Sequence, residues 1–490
     1  MTAQSAHARQ IRSNQWIGRN GEHKVAPFGF GCYRITVDSA AHKRALNHAL
    51  AAGINLIDTS TNYGDGRSEE LVGLVLGEML GKDELRREDV HVVTKVGYIQ
   101  GRNLERVRAH GRYDKIVDYA EHLWHCIEPE FIHDQWTESL ERLKLSYVDT
   151  LLLHNPEYYL MKAAADGLDV DAARDEFYTR IERAFEQLER ELAAGRMRGY
   201  GISSNTFPGE AGSADFCSLE RVFNIAESLN DSHGFTCVQL PFNLIEHAAA
   251  TRLNQLNKTA TVLDFAKARG LNVLINRPLN AITQNRLIRL AAAKGVNDVA
   301  ESDVRAALNA LGTLEERFRM EILPALQVGD EEKNTLYEWL SPAAGLHNSL
   351  DAFDGREHWQ SARQRHFEPR INHAMDFLAR LKDPAIDAWA GSFIVRSARL
   401  FNLIDDFYAA SSQRRAANLL SAYAPIFAPD SDSLSHLALN ALRGHSAVTC
   451  VLVGMRSDAY VDDCLAALME NTEAGGNDKK WRTAADVNLP

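Results

Sequence analysis

Eight short runs of β-branched or apolar residues, each followed after a polar turn by a segment of helical period, constrain this chain more than any other feature. They are residues 27–33 (PFGFGCY), 55–59 (NLIDT), 90–96 (VHVVTKV), 148–154 (VDTLLLH), 198–203 (RGYGIS), 236–240 (TCVQL), 272–276 (NVLIN) and 448–453 (VTCVLV). Strand and helix in alternation predict βαβ units and a parallel sheet. Eight of them predict an α/β fold closed into a (β/α)8 TIM barrel, whose chemistry collects where strands end and βα loops begin. Helical periodicity covers 39–52, 68–80, 134–145, 179–194, 219–229, 261–269 and 433–442, and Gly53, Gly81, Gly195 and Gly270 follow four of these as helix C-terminal glycines. Ahead of the first strand, residues 16–25 contain Asn20-Gly21 between two short runs, the signature of a hairpin that could plug the barrel bottom.

The seventh run ends at Asn276 and the eighth begins at Val448, whereas a βα unit needs on the order of 30 to 45 residues. The excess, 281–429, reads as a large helical insertion between strand 7 and the last helix/strand unit. Its helices are expected at 304–318, 337–340, 371–381, 388–408 and 412–423, with breaks at Pro324, Pro342, Pro369, Pro384 and from Pro425 to Pro429. Because it leaves after a strand, it is expected over the catalytic face, as a lid or substrate wall or as a homo-oligomer interface. The organisation is then 1–280 (hairpin and strands 1–7), 281–429 (insertion), 430–470 (last helix and strand) and 471–490, a polar tail.

Composition removes several function classes. The chain has 54 Lys+Arg against 66 Asp+Glu, a net charge of −12, with no basic cluster to displace counterions from a phosphate backbone, so nucleic acid is not expected as a partner. No run approaches the roughly 18 apolar residues that cross a bilayer, and the N-terminus lacks the apolar core of a secretory signal. Six cysteines without a C-x-x-C pair suit a reducing, cytoplasmic setting. His110, His122, His125, Cys126 and His133 lie close in sequence without the spacing of a zinc set, so no metal is expected.

The strand ends are polar where the strands are not: Asp58, Lys95, His154, Ser203, Gln239, Arg277 and Gly454, with Tyr63 five residues beyond Asp58. A tyrosine beside a Lys–Asp pair can move a proton, since an ammonium favours phenolate and lowers a pKa that is ordinarily about 10. A histidine then orients or polarises a carbonyl.

Residues 53–78 (GINLIDTSTNYGDGRSEELVGLVLGE), 90–97 (VHVVTKVG), 139–157 (SLERLKLSYVDTLLLHNPE), 195–205 (GRMRGYGISSN), 238–244 (VQLPFNL) and 451–457 (VLVGMRS) resemble the aldo/keto reductase family, in the family's order. The resemblance implies a catalytic tetrad of Asp58, Tyr63, Lys95 and His154, with Tyr63 as general acid or base, and a nicotinamide cofactor bound in extended form. It places Ser203, Ser204, Asn205 and Gln239 at the carboxamide. Gly31, Cys32 and Tyr33 fall beside cofactor and substrate, and Asp58 also borders the cofactor. Arg277, Pro278 and Leu279 occupy the family's stacking segment. Gly454, Met455 and Arg456 face the adenosine phosphate, with Asp463 in the adenine loop. An Arg at 456 favours NADP(H) over NAD(H), because its fork reads a 2′-phosphate. Two departures stand out: Asn276-Arg277 replaces the ring that stacks on nicotinamide, and Asp463-Cys464 replaces the final Glu-Asn.

The expected function is an NADP-dependent oxidoreductase interconverting a carbonyl (aldehyde, ketone or aldose) and an alcohol by hydride transfer on a small-molecule carbonyl or sugar substrate. One alternative is a nucleotide-binding regulatory subunit acting through protein partners. Another is an aldolase forming a Schiff base on Lys95.

Overall fold

The computed structural model describes residues 11, 13–18, 21–111, 113–283, 286–292, 297–353, 355–472 and 475–487. Its eight parallel strands are β1 (Phe28–Gly31), β2 (Leu56–Asp58), β3 (His91–Val96), β4 (Thr150–His154), β5 (Tyr200–Ser203), β6 (Phe235–Pro241), β7 (Asn272–Asn276) and β8 (Cys450–Val453). They close into a barrel in sequence order, β8 pairing with β1. One helix follows each strand: α1 (Ala40–Ala51), α2 (Arg67–Gly81), α3 (Pro129–Leu143), α4 (Val170–Ala193), α5 (Leu219–Leu229), α6 (Val262–Ala268), α7 (Leu434–Arg443) and α8 (Asp458–Met469).

Local chemistry sets these helix ends. Ser39, Asp169, Ser218, Thr261 and Ser433 each accept a first-turn amide, and Thr261 with Asp264 completes a capping box. Gly53, Gly195 and Gly270 have positive φ after their helices. Gly81 does not: α2 runs through it, and Asp83 adopts the left-handed conformation instead (φ 57°). Within β5, Gly201 is imposed by packing, since a Cβ there would lie 1.8 Å from the Cys237 carbonyl.

The barrel interior is filled by Leu56, Val93, Leu152, Cys237, Leu274, Cys450 and Leu452, joined by Trp16 and Val25 of the N-terminal hairpin. That hairpin pairs Asn14–Gly18 with Gly21–Val25, and its expected turn residue Asn20 lies outside the described residues. It is stitched to the strand starts. The Asn272 side chain accepts from the Ile17 amide at 2.9 Å and donates to the Ile17 carbonyl at 2.7 Å, while Asn14 donates to the Thr449 carbonyl at 2.8 Å. Between β3 and α3 the chain adds a helix (Gly101–His110) and a three-stranded antiparallel sheet of Tyr98–Ile99, Leu123–His125 and Val117–Ala120. The segment read as a polar tail also contributes to the core: helix Lys480–Ala485 buries Trp481 against Phe242 and Phe427, with ring centroids 4.3 and 4.8 Å away.

The chain divides into two compact units, Met1–Ala281 with Tyr423–Pro490, and Ile282–Ala422. The second is helical around one apolar core that includes Phe318, Trp359, Trp389, Phe393, Leu400 and Phe401. Two expectations about its helices are corrected. The pieces at 388–408 and 412–423 belong to a single 44-residue helix, Pro384–Phe427, which Pro425 enters without ending. Pro369 likewise interrupts nothing, because a π-turn at Arg363–Phe367 widens the helix just before it and relieves the clash a proline ring makes with the preceding turn. Pro342 and Pro384 sit at helix starts, where a missing amide hydrogen costs nothing.

Candidate active site

Three barrel strands and one turn deliver the expected tetrad. β2 ends in Asp58, β3 carries Lys95, β4 ends in His154, and the 3-10 turn Tyr63–Gly66 presents Tyr63. Lys95 is wholly buried, and its ammonium donates to Asp58 Oδ2 (2.7 Å), the Thr59 carbonyl (2.9 Å) and the Tyr63 hydroxyl (3.2 Å). Burial alone would lower the Lys95 pKa, yet Asp58 and Tyr63 more than offset it and hold the ammonium above its ordinary value. Asp58 is itself braced by Gln239 Nε2 on Oδ1 at 2.8 Å, and burial raises its carboxyl against the pull of Lys95.

For Tyr63 the sign differs from the sequence expectation. The protein crowded around its hydroxyl outweighs the Lys95 ammonium and pushes its pKa up to about 12. Its phenol is therefore neutral at pH 7. His154 is neutral as well: burial, and then the Lys95 charge, hold it well below the usual imidazole range. Its Nδ1 lies 3.0 Å from Ser60 Oγ, leaving Nε2 with no hydrogen-bond partner among the described residues.

The end of β4 is reinforced by residues that sequence reading did not single out for this site. His125 Nε2 donates to the His154 carbonyl at 2.7 Å, and Tyr98 stands edge-on to the His154 ring at 4.6 Å. Gly97 (φ 151°) is required here, because a Cβ would meet His125 Nε2 at 2.6 Å and the His154 carbonyl at 2.8 Å. The signal was present as the glycine two residues after Lys95, but its partner lies 28 residues downstream of it. His122 and His133 go elsewhere, to Glu121 and Glu191. Among the described residues no three His, Cys, Asp or Glu converge as a metal site.

The expected cofactor residues fall into two sets. Ser203 Oγ donates to Gln239 Oε1 at 3.2 Å, and Ser204 Oγ pairs with Thr206 Oγ1 at 3.3 Å, so both hydroxyls are engaged within the protein. Asn205 is exposed, and its amide head is uncommitted among the described residues. Asn276 contributes too, with Nδ2 3.5 Å from Gln239 Oε1 and a buried Oδ1 that has no partner. Arg277 takes a left-handed conformation (φ 53°), and its guanidinium is held by Glu246 at 2.8 Å. Pro278 and Leu279 form the turn that the Asn280 amide closes on the Arg277 carbonyl. Near β1, the Cys32 amide donates to the Asp58 carbonyl at 2.9 Å, and Tyr33, 66% exposed, stands edge-on to Tyr63 at 5.2 Å, beyond Gly31 at the strand end. Past β8, Gly454 is exposed, Met455 is buried and Arg456 makes no ion pair among the described residues. Asp463 is committed to α7, accepting from Ser435 Oγ at 3.2 Å and pairing with His436 at 3.4 Å.

A family model described as "Aldo/keto reductase family" matches residues 27–281, more than half of the chain. The chain belongs to the aldo/keto reductase family. Among curated relatives, "Uncharacterized oxidoreductase YqkF" of Bacillus subtilis is 30% identical over 180 residues, covering 37% of this chain and 45% of that protein. "NADH-specific methylglyoxal reductase" of Escherichia coli is 35% identical over 106 residues, covering 22% and 28%. The matched stretch thus spans about half the length of the first relative and less of the second. The solved aldo-keto reductase AKR11C1 from Bacillus halodurans is similar over 97% of this chain and 98% of that one, at 16% identity and a TM-score of 0.47. Among the described residues no helix of this aldo/keto reductase is long and apolar enough to cross a membrane.

Proposed function

We propose that the protein is an NAD(P)-dependent oxidoreductase that interconverts a small carbonyl compound and its alcohol, with Tyr63 as the proton donor. The observation that carries this reading is the buried Asp58–Lys95–Tyr63 chain beside a neutral His154. A nicotinamide cofactor fits the residues present: the free Asn205 amide and the orphaned Asn276 Oδ1 offer both a donor and an acceptor, as a carboxamide needs. When bound, it supplies or takes up hydride.

The remaining steps belong to the side chains. Because the Ser60 hydroxyl gives its one proton to Asn62 Oδ1 at 2.7 Å, Ser60 Oγ accepts from His154 Nδ1–H, which leaves the neutral ring's Nε2 as an acceptor that can orient the hydroxyl of the alcohol. A neutral Tyr63 gives its proton to the developing alkoxide, and Lys95 stabilises the phenolate left behind. Asp58 keeps Lys95 charged and in place. A pKa of about 12 holds Tyr63 in its donor form at neutral pH, the form that reduction requires. The same ion pair disfavours a Schiff base on Lys95, since that chemistry needs a free amine. Arg456 favours NADP(H), its fork being open to a 2′-phosphate. The NADH-specific E. coli relative argues the other way and makes nucleotide choice a direct test. Fluorescence titration with NADPH and NADH, followed by a turnover screen over small aldehydes, ketones and aldoses, tests the reading. Tight NADPH binding, a preference narrowed by Arg456→Ala, and turnover of at least one carbonyl are expected. Nucleotide binding with no turnover would favour a regulatory subunit.

A further inference from the structure

Glu157 is a buried carboxyl that the tetrad does not use. It lies three residues beyond His154 at the start of helix Tyr158–Ala165, is 2% exposed and has no ion-pair partner among the described residues. Its Oε1 accepts the backbone amide of Asn205 at 2.8 Å, and its Oε2 is buried without a partner. The acid therefore ties the loop after β4 to the loop after β5. A second tie runs alongside it, from the Asn155 amide to the Ser203 carbonyl at 2.7 Å, with Asn155 in the left-handed conformation (φ 52°). A packing role alone would be filled better by an apolar side chain or an amide, because an unpaired buried carboxyl oxygen costs about 1–3 kcal/mol.

We propose that Glu157 is a positioning residue for the nucleotide: by holding the Asn205 amide, it sets the segment Ser203–Asn205 so that the free Asn205 side chain meets the carboxamide. This rests on the reading under Proposed function. The acceptor strengthens when ionised, so the tie tightens as the carboxyl loses its proton. Burial pushes Glu157 up to about 7, opposed by its own amide, the Asn205 amide and the nearby Ser204 hydroxyl, and this places the change near neutrality. The titratable groups facing it are Asp215 and Cys217 from the stretch between β5 and α5, Tyr158 from its own helix, and Tyr98 from the segment after β3. None is a cation.

The test compares wild type, Glu157→Gln and Glu157→Ala by NADH and NADPH fluorescence titration between pH 6 and 8, with hydrogen exchange over residues 203–207 in the nucleotide-free protein. NADH is included because the NADPH 2′-phosphate titrates in the same range. Glu157→Ala is expected to weaken both nucleotides about tenfold and to speed exchange at Asn205. Glu157→Gln keeps an acceptor, so it is expected to restore most of the affinity while removing the few-fold tightening of NADH that wild type shows from pH 6 to 8. Should Glu157→Ala fail to fold, the Gln variant decides through its pH profile. Unchanged affinity in Glu157→Ala, or an NADH profile in Glu157→Gln that parallels wild type, overturns the inference alone. A wild type that binds neither nucleotide overturns the functional reading and this inference together.

Discussion

In the barrel unit, Asp58, Lys95, Glu69, Asp149 and Glu157 are all buried, and each is held by named partners. Glu69 takes Thr94 (2.6 Å), Ser139 (2.5 Å) and Arg142 (2.7 Å), while Asp149 takes Arg87 (2.8 Å) and the Val92 amide (2.9 Å). Residues 282–422 bury Trp359, Trp389, Phe318 and Phe401 instead, and carry exposed ion pairs within one helix, such as Arg305–Glu301 and Arg317–Glu321, and between helices, such as Arg370–Glu338. Burying a charge costs several kcal/mol unless it is paired and hydrogen-bonded. One unit accepts that cost, on helix α2 (Glu69) and before β4 (Asp149) as well as at the strand ends that carry Asp58 and Lys95. The other has a core built almost wholly on apolar area.

Four substitutions probe this contrast, the largest effect first. Tyr63→Phe is expected to lower turnover by roughly 10²- to 10⁴-fold while nucleotide Kd stays within about twofold, because the hydroxyl acts on the proton and not on the cofactor. Near wild-type turnover would mean another group donates the proton. Lys95→Met leaves Asp58 buried without its cation and should destabilise the barrel by about 3–5 kcal/mol in thermal denaturation. It should also move the tyrosine's alkaline limb to higher pH, since the ammonium is what pulls the Tyr63 pKa down against burial.

In the insertion, Trp389 stacks on Phe318 and Phe393 (4.8 and 5.0 Å) and donates to the Leu314 carbonyl at 2.9 Å. Trp389→Ala should cost about 3–5 kcal/mol there and leave NADPH titration unchanged. A parallel loss of nucleotide affinity would break the contrast between the units. Glu315 and Asp405, the latter paired with Arg363 at 2.6 Å, are exceptions in the insertion. Glu315 is the one that titrates near neutrality. It accepts the Ala343 and Ala344 amides at 2.7 and 3.1 Å, and burial pushes its carboxyl up to about 7. A pKa raised on folding contributes stability that is complete below the unfolded value of about 4.3 and is lost as pH rises through 7. The Tm advantage of wild type over Glu315→Gln should therefore shrink between pH 5 and 7.5. A constant difference would show that Glu315 does not titrate in that window.

The eight strands and seven of the eight barrel helices were legible because period, caps and turn residues are local; α8 was not singled out. Asp58, Lys95 and His154 could be read for the same reason, as polar ends on apolar strands. What could not be read depends on tertiary environment. The direction of the Tyr63 shift follows from how much protein surrounds its hydroxyl, which no spacing encodes. His125 and Glu157 acquire their roles only when segments dozens of residues apart meet at His154 and Asn205. The helix Pro384–Phe427 passes Ser411 and Ser412, which break the apolar pattern without breaking the backbone, and Pro369 sits harmlessly behind a π-turn that single residues do not announce.

The stitching of the N-terminal hairpin sets an order of events during synthesis. Asn14 and Ile17 find their partners at Thr449 and Asn272, 435 and 255 residues downstream, and β1 waits for β8 to give it a neighbour on one side. Until the ribosome has released residues near 450, β1 and β7 remain unpaired edges and the hairpin has only part of its seat. Contacts this distant in sequence slow closure and prolong the exposure of sticky strands. A nascent chain stopped anywhere within residues 282–447 should therefore persist as an open, chaperone-dependent species, whatever local helices it has already formed.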